Sequence, residues 1–382
     1  MASITLRDLA LRYPGAREEA VKGINLVIED RKFTVFLGPS GCGKTSTLRM
    51  IAGFEKPSRG EVWIGDKLVN NVYPGDRDIG MVFQSYALYP HKTIRENLAF
   101  CLNARSRRVP KYEIEKRIQD IARMLRLEKY LDQYPRELSA GEQQRAAIGR
   151  ALIRQPQVLL LDEPLSNLDA TLRAEMRTFL RKLQQDLQIT SVHVTHDQIE
   201  AQAIGDNVVV MDAGVIQQVG SPQEVYRQPR NLFVAGFIGT PAMNFFSGHL
   251  EAEGGVTYLV GADYRIPLPP PVAARLIEIS APREVVVGAR PEHILIKENG
   301  ACRSGSESES GAREYGFGSR IAILEHVGNE WVIDIIVGGQ VVKVRRDRDF
   351  LGFRPAPGRD IWLELPGDKT YVFDKRTTER II

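Results

Sequence analysis

The chain has 382 residues, enough for two or three domains, and 43% of them are hydrophobic, so a substantial core can form. Its 51 basic and 48 acidic side chains leave a formal net charge of only +3, which argues against a nucleic-acid partner attracted by bulk charge. The cysteines Cys42, Cys101 and Cys302 are isolated in sequence, which excludes a disulfide framework and fits a reducing cytosol. Because neither a signal-peptide pattern nor an apolar run of about 20 residues occurs, we expect a soluble chain.

The first predicted elements are strands between residues 3 and 37, and the last of them leads into a glycine-rich loop. Phe33–Leu37 is a β-branched and aromatic run, typical of a buried strand. Gly38–Thr45, with the sequence GPSGCGKT, fits the phosphate-binding pattern G-x-x-x-x-G-K-[ST]. A helix is predicted over Ser46–Ala52, ended by Gly53. Strand, loop and helix together are the context that this pattern requires, so the sequence predicts nucleotide binding.

The residue types in this loop match the chemistry of phosphate binding. The glycines let backbone N–H groups point inward, and the following helix contributes a partial positive charge at its N-terminus. Lys44 can reach the β- and γ-phosphates, and the Thr45 hydroxyl can ligate Mg²⁺. Tyr13, which precedes a Pro-Gly turn, is either a packing residue or a ring that stacks on a nucleotide base. The predicted nucleotide-contacting residues are Tyr13, Gly38, Pro39, Ser40, Gly41, Cys42, Gly43, Lys44, Thr45 and Ser46.

A helical block is predicted in the middle of the first half of the chain. A buried strand over residues 79–84 ends at Gln84, and residues 93–131 then read as helical. The strongest pattern covers Lys111–Leu127, where apolar residues recur close to i, i+4 and i+7. Because the block separates Gln84 from the next strand, we interpret it as an inserted subdomain over about 85–156.

Strands and helices alternate in the next part of the chain. Ser139 and Glu142 form a capping box at the start of a helix. Val158–Leu161 is a continuous apolar run, as expected for a strand buried on both faces of a parallel sheet, and it ends in Asp162 and Glu163. The following predicted elements are a helix over 169–187, a strand over 190–195, a helix over 198–204 and a hairpin of strands 208–211 and 215–219.

Several polar residues at strand ends are predicted to meet at the phosphate loop. In an open parallel sheet, ligands bind outside the carboxyl ends of the strands. Asp162 can hold Mg²⁺, with Thr45 and Gln84 as the other predicted metal ligands, and Glu163 can act as general base on the attacking water. His196 can donate to the γ-phosphate. Taken alone, Gln84 would be interpreted as a solvated polar residue and His196 as a cap at a strand end. Because they accompany the phosphate loop, Glu163, His196 and Gln84 are predicted to be catalytic residues.

Two longer segments and three single residues resemble the motifs of ABC-transporter ATPases. Residues 138–145, LSAGEQQR, resemble the signature sequence, and residues 162–169, DEPLSNLD, resemble the Walker B motif and D-loop. Gln84 matches the Q-loop glutamine of that family, His196 its switch histidine and Tyr13 its adenine-stacking aromatic residue. The motifs follow the family's order.

The resemblance covers about residues 3–237 and implies an α/β P-loop ATPase that uses ATP and Mg²⁺. In the family, two subunits close head to tail, and the signature of one acts on the ATP of the other. The corresponding residues here are Ser139, Ala140, Gly141 and Glu142, with Asp169 in the D-loop. Ala140 stands in place of the commoner glycine, and Glu142 stands in place of the commoner glutamine. We expect these differences to modify the ATPase activity and not to abolish it.

The chain changes character near residue 240, where strand patterns dominate. The predicted strands are 256–260, 284–287, 294–297, 319–325, 331–337, 340–345 and 360–365. Prolines 267, 269, 270 and 271 interrupt the pattern, and residues 299–313 read as an exposed mobile loop of low complexity. We therefore predict a separate all-β domain in this part of the chain.

This tail extends the resemblance to a group of importers. Residues 84–91, QSYALYPH, and 288–293, GARPEH, together with the β-rich tail resemble ATPase subunits of carbohydrate importers of the maltose and glycerol-3-phosphate type. In that group the tail is an OB-like regulatory domain. The resemblance thus implies an ABC ATPase domain over 1–237, containing the helical subdomain, and an OB-like regulatory domain over 238–382.

The resemblance also implies partners and a location. We expect a homodimer or a dimer with a close homologue, membrane permease subunits contacting the helical block, an indirect extracytoplasmic solute-binding protein, no nucleic acid, and a peripheral position at the cytoplasmic face of the inner membrane. The cargo is expected to be a carbohydrate. Open alternatives are polyamine, sulfate or iron cargo, or a non-transport ABC ATPase acting on ribosomes or DNA.

Overall fold

The computed structural model describes residues 1–103, 109–298, 315–348 and 352–382, and it divides the chain into two compact units, Met1–Val225 and Tyr226–Ile382. The strands are β1 (Ile4–Leu11), β2 (Val21–Ile28), β3 (Phe33–Leu37), β4 (Arg59–Ile64), β5 (Lys67–Leu68), β6 (Ile79–Val82), β7 (Val158–Asp162), β8 (Thr190–Thr195), β9 (Asn207–Asp212), β10 (Val215–Gly220), β11 (Asn244–Glu253), β12 (Val256–Val260), β13 (Arg265–Pro267), β14 (Glu284–Ala289), β15 (Leu295–Glu298), β16 (Gly316–Val327), β17 (Glu330–Val337), β18 (Gln340–Asp347), β19 (Asp360–Glu364) and β20 (Thr370–Asp374). The helices are α1 (Lys44–Ala52), α2 (Ile94–Ala99), α3 (Lys111–Leu125), α4 (Ala140–Leu152), α5 (Ala170–Leu187), α6 (Gln198–Ile204), α7 (Pro222–Arg227), α8 (Leu232–Phe237) and α9 (Pro270–Glu278).

The first unit is built around a six-stranded sheet in the order β10-β9-β3-β8-β7-β6. All of its neighbouring strands pair in parallel except β10, which is antiparallel to β9. Every residue of β3, β7 and β8 is buried, as predicted for central strands of a parallel sheet. Their carboxyl ends, which carry the phosphate loop, Asp162 and Thr195, therefore lie side by side at one edge.

A second, antiparallel sheet in the order β2-β1-β4-β5 packs on the first one. Apolar residues of β1, β2 and β4 share one hydrophobic cluster with residues of α1, β3, β7, β8 and β9. This shared core holds the helix that follows the phosphate loop between two sheets.

Helices α2, α3 and α4 follow β6 and precede β7, at the position predicted for the helical block. Four of the five residues predicted for the apolar face of α3 are buried, namely Ile114, Ile118, Ile121 and Leu125, whereas the fifth, Met124, is 40% exposed. Gly149 of α4 faces α3: a methyl group there would lie 2.8 Å from Leu125 Cδ1 and 3.1 Å from Ile121 Cγ2. The two helices can therefore approach closely only because residue 149 lacks a side chain.

The second unit contains two five-stranded sheets, in the orders β13-β12-β11-β14-β20 and β15-β19-β16-β17-β18. Strands predominate as predicted, and the region predicted to be all-β, 238–382, also contains helix α9. Pro269, Pro270 and Pro271 do not merely interrupt a strand pattern; they begin this helix, since the first turn of a helix needs no N–H donors. Strands β11, β13 and β20 were not predicted from the sequence. The loop predicted over 299–313 and Cys302 lie outside the described residues.

The division between the units falls at 225/226, whereas the predicted change of character falls at 237/238. Helix α8 packs with the second unit because the end of the chain holds the segment before it. Leu232 N donates to Thr378 O at 2.9 Å, and Arg380 N donates to Arg230 O at 2.8 Å. Such long-range backbone bonds leave no signal in local composition.

Candidate active site

The phosphate loop connects β3 directly to α1, which begins at Lys44, two residues before the predicted start. Two of its glycines are sterically required. A Cβ atom on Gly38 would lie 2.2 Å from Met211 O, and one on Gly43 would lie 2.6 Å from Ala20 O. Gly43 also has a φ of 102°, a region that side chains disfavour. The loop thus packs against neighbouring backbone too closely for any other residue type.

Lys44 is buried under this loop, with only 4% of its surface exposed. Its ammonium group donates to Gly38 O at 2.7 Å and to Pro39 O at 2.8 Å. The neighbouring Cys42 thiol lies 3.7 Å from Lys44 Nζ; burial raises the pKa of this thiol despite the opposing effect of the lysine charge. The amine is therefore held inside the loop by neutral carbonyl groups, which phosphate oxygens can replace.

Asp162 ends β7 beside the first turn of α1 and is only 7% exposed. Its Oδ1 accepts a hydrogen bond from Thr45 Oγ1 at 3.2 Å. Burial raises the pKa of Asp162, and the Thr45 hydrogen bond and the charge of Arg49 counteract the shift only in part. The structure thus brings two predicted metal ligands into contact, with oxygen atoms of the kind that Mg²⁺ prefers.

Glu163 follows β7 and contacts residues that follow two other strands, β6 and β8. Its Oε2 accepts a hydrogen bond from Gln84 Nε2 at 3.4 Å and lies 3.7 Å from His196 Nδ1. Its backbone has a φ of 44°, and its N–H donates to Val194 O at 3.1 Å. This left-handed conformation is unfavourable for glutamate, and the neighbouring strand holds it there. The three predicted catalytic residues therefore lie together, with the Glu163 carboxylate between the other two.

Tyr13 lies after β1 and reaches the same end of the sheet. Its hydroxyl is 3.0 Å from Ser46 Oγ, in the first turn of α1. The ring is partly buried against the core of the first unit. The phenol is therefore attached to the phosphate loop's helix, while its stacking on a base stays a prediction.

The signature residues lie at the start of α4. Ser139 N donates to Glu142 Oε2 at 2.8 Å in the predicted capping box. Burial alone would raise the pKa of Glu142, but hydrogen bonds from Tyr130 and Ser139 outweigh it and hold that pKa below its usual value. A methyl group on Gly141 would lie 2.8 Å from Leu172 Cδ1. The carboxylate that distinguishes Glu142 from the commoner glutamine thus accepts a hydrogen bond that caps its own helix.

The signature residues do not join the residues around Glu163 within the described part of one chain, where no hydrogen bond or ion pair connects the two sets. Asp169 caps α5 by accepting a hydrogen bond from Leu172 N at 3.0 Å. One chain therefore assembles the phosphate loop, Asp162, Glu163, Gln84 and His196, without a described hydrogen bond from the signature residues.

Ser166 is a site residue that was not predicted from the sequence. Its hydroxyl donates to Glu163 O at 2.9 Å and accepts from Gln84 Nε2 at 3.3 Å. Ser166 lies inside the segment 162–169, in which functional roles were predicted only for residues at the two ends. Only the folded turn shows that its hydroxyl connects Gln84 with Glu163. Among the described residues, none of the helices combines the length and the hydropathy of a membrane-spanning segment.

Comparisons with known proteins identify both units. The family model for ABC transporters matches residues 21–166, and the model for the MalK OB fold domain matches residues 239–294. The chain is 46% identical to the trehalose/maltose import ATP-binding protein MalK of Thermococcus litoralis, over 95% of each chain. It is 42% identical to the sn-glycerol-3-phosphate import ATP-binding protein UgpC of Chromobacterium violaceum, over 100% of this chain and 96% of the relative.

A solved structure supports the fold of the first unit. The ATP-binding cassette MJ0796, in a dimeric post-hydrolysis state bound to ADP and Pi, matches with a TM-score of 0.51 and 31% identity. The match covers 57% of this chain and 98% of that one. The α/β P-loop fold and the OB-like tail predicted from the sequence are therefore confirmed.

Proposed function

The chain belongs to the ABC transporter family of ATP-binding subunits, and on this basis we propose that it hydrolyses ATP to power import of a carbohydrate or a related solute. The observation that carries the proposal is the contact of Glu163 with Gln84 and His196, at the edge of the sheet where the phosphate loop also lies. A carboxylate with neighbouring hydrogen-bond partners, beside a phosphate-binding loop, is the arrangement that activation of a water molecule requires.

The phosphate loop supplies the binding energy for the nucleotide. Backbone N–H groups of the loop and the N-terminus of α1 attract the phosphates, and Lys44 exchanges its carbonyl partners for phosphate oxygens. Thr45 and Asp162, already 3.2 Å apart, fit a hard cation, with Gln84 as a third ligand. Mg²⁺ would bind jointly with the nucleotide and neutralise phosphate charge.

Hydrolysis then needs a base and correct alignment. In this scheme Glu163 takes a proton from a water molecule while the water oxygen attacks the γ-phosphorus. The bond between the γ-phosphorus and the bridging oxygen breaks, and this oxygen remains on the β-phosphate of ADP. Gln84 orients the water, and His196 donates a hydrogen bond to the γ-phosphate. In this scheme Tyr13, whose hydroxyl lies 3.0 Å from Ser46 Oγ, stacks on the adenine.

We propose that the second half of each site comes from a second copy of the chain or a close homologue. Ser139–Glu142 begin α4, where free N–H groups can meet the γ-phosphate of the partner, and Asp169 would lie at the same interface. The dimeric form of the related cassette supports this arrangement. ATP would close the dimer and hydrolysis would reopen it, a two-state switch that the permease subunits can use.

We propose that the chain acts at the cytoplasmic face of the inner membrane, because an importer must couple to ATP on that side. We propose that the helical block over 85–156 contacts the permease and that a solute-binding protein delivers cargo from the other side. The domain assignment, 1–237 for ATP hydrolysis and 238–382 for regulation, follows the same proposal. The names of the two relatives favour sugars and sugar-like polyols as cargo.

The hydrolysis mechanism is tested by Glu163→Gln. Glutamine keeps the shape of the side chain but cannot accept a proton, so ATP binding should persist, turnover should fall by roughly a hundredfold or more, and a dimer should accumulate with ATP on gel filtration. Glu29→Gln, a change of an exposed glutamate, is the matched control and should behave as wild type. Turnover of the Glu163→Gln protein at the wild-type rate would refute the assignment of the base.

The cargo is tested with the transporter reconstituted from its co-purified permease. ATP hydrolysis in vesicles is measured with the solute-binding protein loaded in turn with maltose, trehalose, glycerol-3-phosphate, spermidine, sulfate or ferric iron. Stimulation by one of the first three supports the proposal, and stimulation by one of the last three alone contradicts it.

A further inference from the structure

A buried carboxylate lies directly behind the turn that carries His196. Glu200, in the first turn of α6, has a side chain that is only 4% exposed. Its Oε2 accepts a hydrogen bond from Thr195 Oγ1 at 2.7 Å and lies 3.1 Å from His193 Nε2. Burial alone would raise the pKa of Glu200, but its hydrogen bonds and neighbouring positive charge outweigh that effect and lower it. A charged group enclosed in protein is costly unless it is paired, so these contacts are needed.

The same network fixes both sides of His196. The Thr195 hydroxyl donates to Glu200 and accepts a hydrogen bond from Asp197 N at 3.0 Å. Thr195 is buried, whereas the His196 side chain is 59% exposed. Packing therefore restrains the imidazole weakly, and its position depends on the turn that Glu200 and Thr195 hold.

Arg173 extends the network to a second functional segment. From α5, its NH1 lies 3.6 Å from Asp197 Oδ2, and its Nε lies 4.0 Å from Glu200 Oε1. Its NH2 donates to Leu168 O at 2.9 Å, one residue before Asp169. One guanidinium group therefore joins the turn of His196 to the segment that begins at Glu163 and ends at Asp169.

We propose, on the basis of the ATPase function above, that Glu200 is a positioning residue for hydrolysis. It acts through Thr195 on His196 and through Arg173 on the segment before Asp169. Displacement of an aligned group by about 1 Å can cost a hundredfold in rate, so loosening this network lowers kcat. None of these residues contacts the phosphate loop through a described hydrogen bond, so nucleotide affinity and KM should not change.

The test measures kcat, KM for ATP and melting temperature on the full-length protein. Thr195→Val removes the hydroxyl, and Glu200→Gln removes the charge; both keep the size of the side chain. We expect kcat to fall about tenfold or more in each, with KM within about twofold. Thr195→Ser restores the hydroxyl and should recover at least about half of the wild-type kcat.

Asp206→Asn is the matched control. Asp206 accepts hydrogen bonds from Phe33 N at 2.8 Å and Arg181 NH2 at 2.6 Å, at the opposite end of β3 from the phosphate loop. This variant should lower the melting temperature while keeping kcat within about twofold. If Asp206→Asn and Glu200→Gln lose kcat equally at equal melting temperatures, lower stability alone explains the loss of kcat. That result would overturn the proposal.

A double variant distinguishes an effect through His196 from a loss of folding stability. If Thr195 acts through His196, Thr195→Val should lower the single-turnover rate of His196→Ala by less than about twofold, because the effect is already lost. A further tenfold loss, or unchanged kcat in both Thr195→Val and Glu200→Gln, would overturn the positioning role. Absence of ATP hydrolysis by the wild-type protein would instead refute the proposed function.

Discussion

Gly38→Ala is the sharpest perturbation that the phosphate loop offers. A methyl group at this position would lie 2.2 Å from Met211 O and 2.7 Å from Cys42 Sγ, whereas ordinary contacts lie at 3.4–4 Å. Met211 belongs to the buried strand β9, whose backbone cannot yield easily. The loop must therefore move by about 1 Å, away from the sheet and from its position above Lys44.

The size of the effect follows from these distances. Inserting a methyl group into a packed site costs typically about 1–3 kcal/mol, so the free energy of unfolding of the first unit should fall by that amount. The same displacement separates the loop N–H groups from the phosphates, and we expect the affinity for ATP to fall by roughly a hundredfold. Urea denaturation measures the first quantity, and titration with a fluorescent ATP analogue measures the second.

Gly75→Ala is the control, because nothing lies within 4 Å of a Cβ atom built there and its φ is not positive. It should leave ATP affinity unchanged and should alter stability by less than about 1 kcal/mol, in the stabilising direction, through the unfolded chain. Wild-type ATP affinity and an unchanged urea midpoint in Gly38→Ala would refute the steric argument for the glycine.

Two further predictions concern Asp162 and Ser139. Because burial raises its pKa, the folded protein holds the Asp162 proton more tightly than the unfolded chain, so this residue favours folding at acid pH and loses that contribution as pH rises through the raised pKa. Asp162→Asn should therefore melt at a higher temperature than wild type at pH 7 yet hydrolyse ATP at least about tenfold more slowly; a lower melting temperature would contradict the burial argument. Ser139→Arg should cost about 1 kcal/mol through loss of the cap, spare ATP binding to a single subunit and prevent the ATP-dependent dimer on gel filtration. Ser221→Arg, which removes a capping serine from α7, should still dimerise, and a normal dimer of Ser139→Arg would contradict the shared site.

Local patterns were sufficient for most elements of the first unit. Phe33–Leu37 and Thr190–Thr195 were predicted with the bounds that the strands have, because buried central strands read as apolar or β-branched runs. The capping box of Ser139 and Glu142 was also predictable, since both partners lie within one turn of helix.

Prediction failed where a residue's role depends on distant chain. Strand β20 pairs with β14, about 85 residues earlier, and its own sequence carries no signal of that partner. The prolines near residue 270 suited either an interrupted strand or the first turn of a helix, and only packing of Val272 and Leu276 into the core of the second unit selected the helix.

The candidate site shows the same division. Residue types and local spacing were enough to predict which residues can bind phosphate, hold a cation or accept a proton, because these capacities belong to side-chain types and to spacings of a few residues. The fold was needed to show that Glu163 lies between Gln84 and His196 and that Glu200 and Arg173 support the turn behind them. The physical reason is that these contacts join residues on different strands and helices, and the order in which strands pair across a sheet sets those distances.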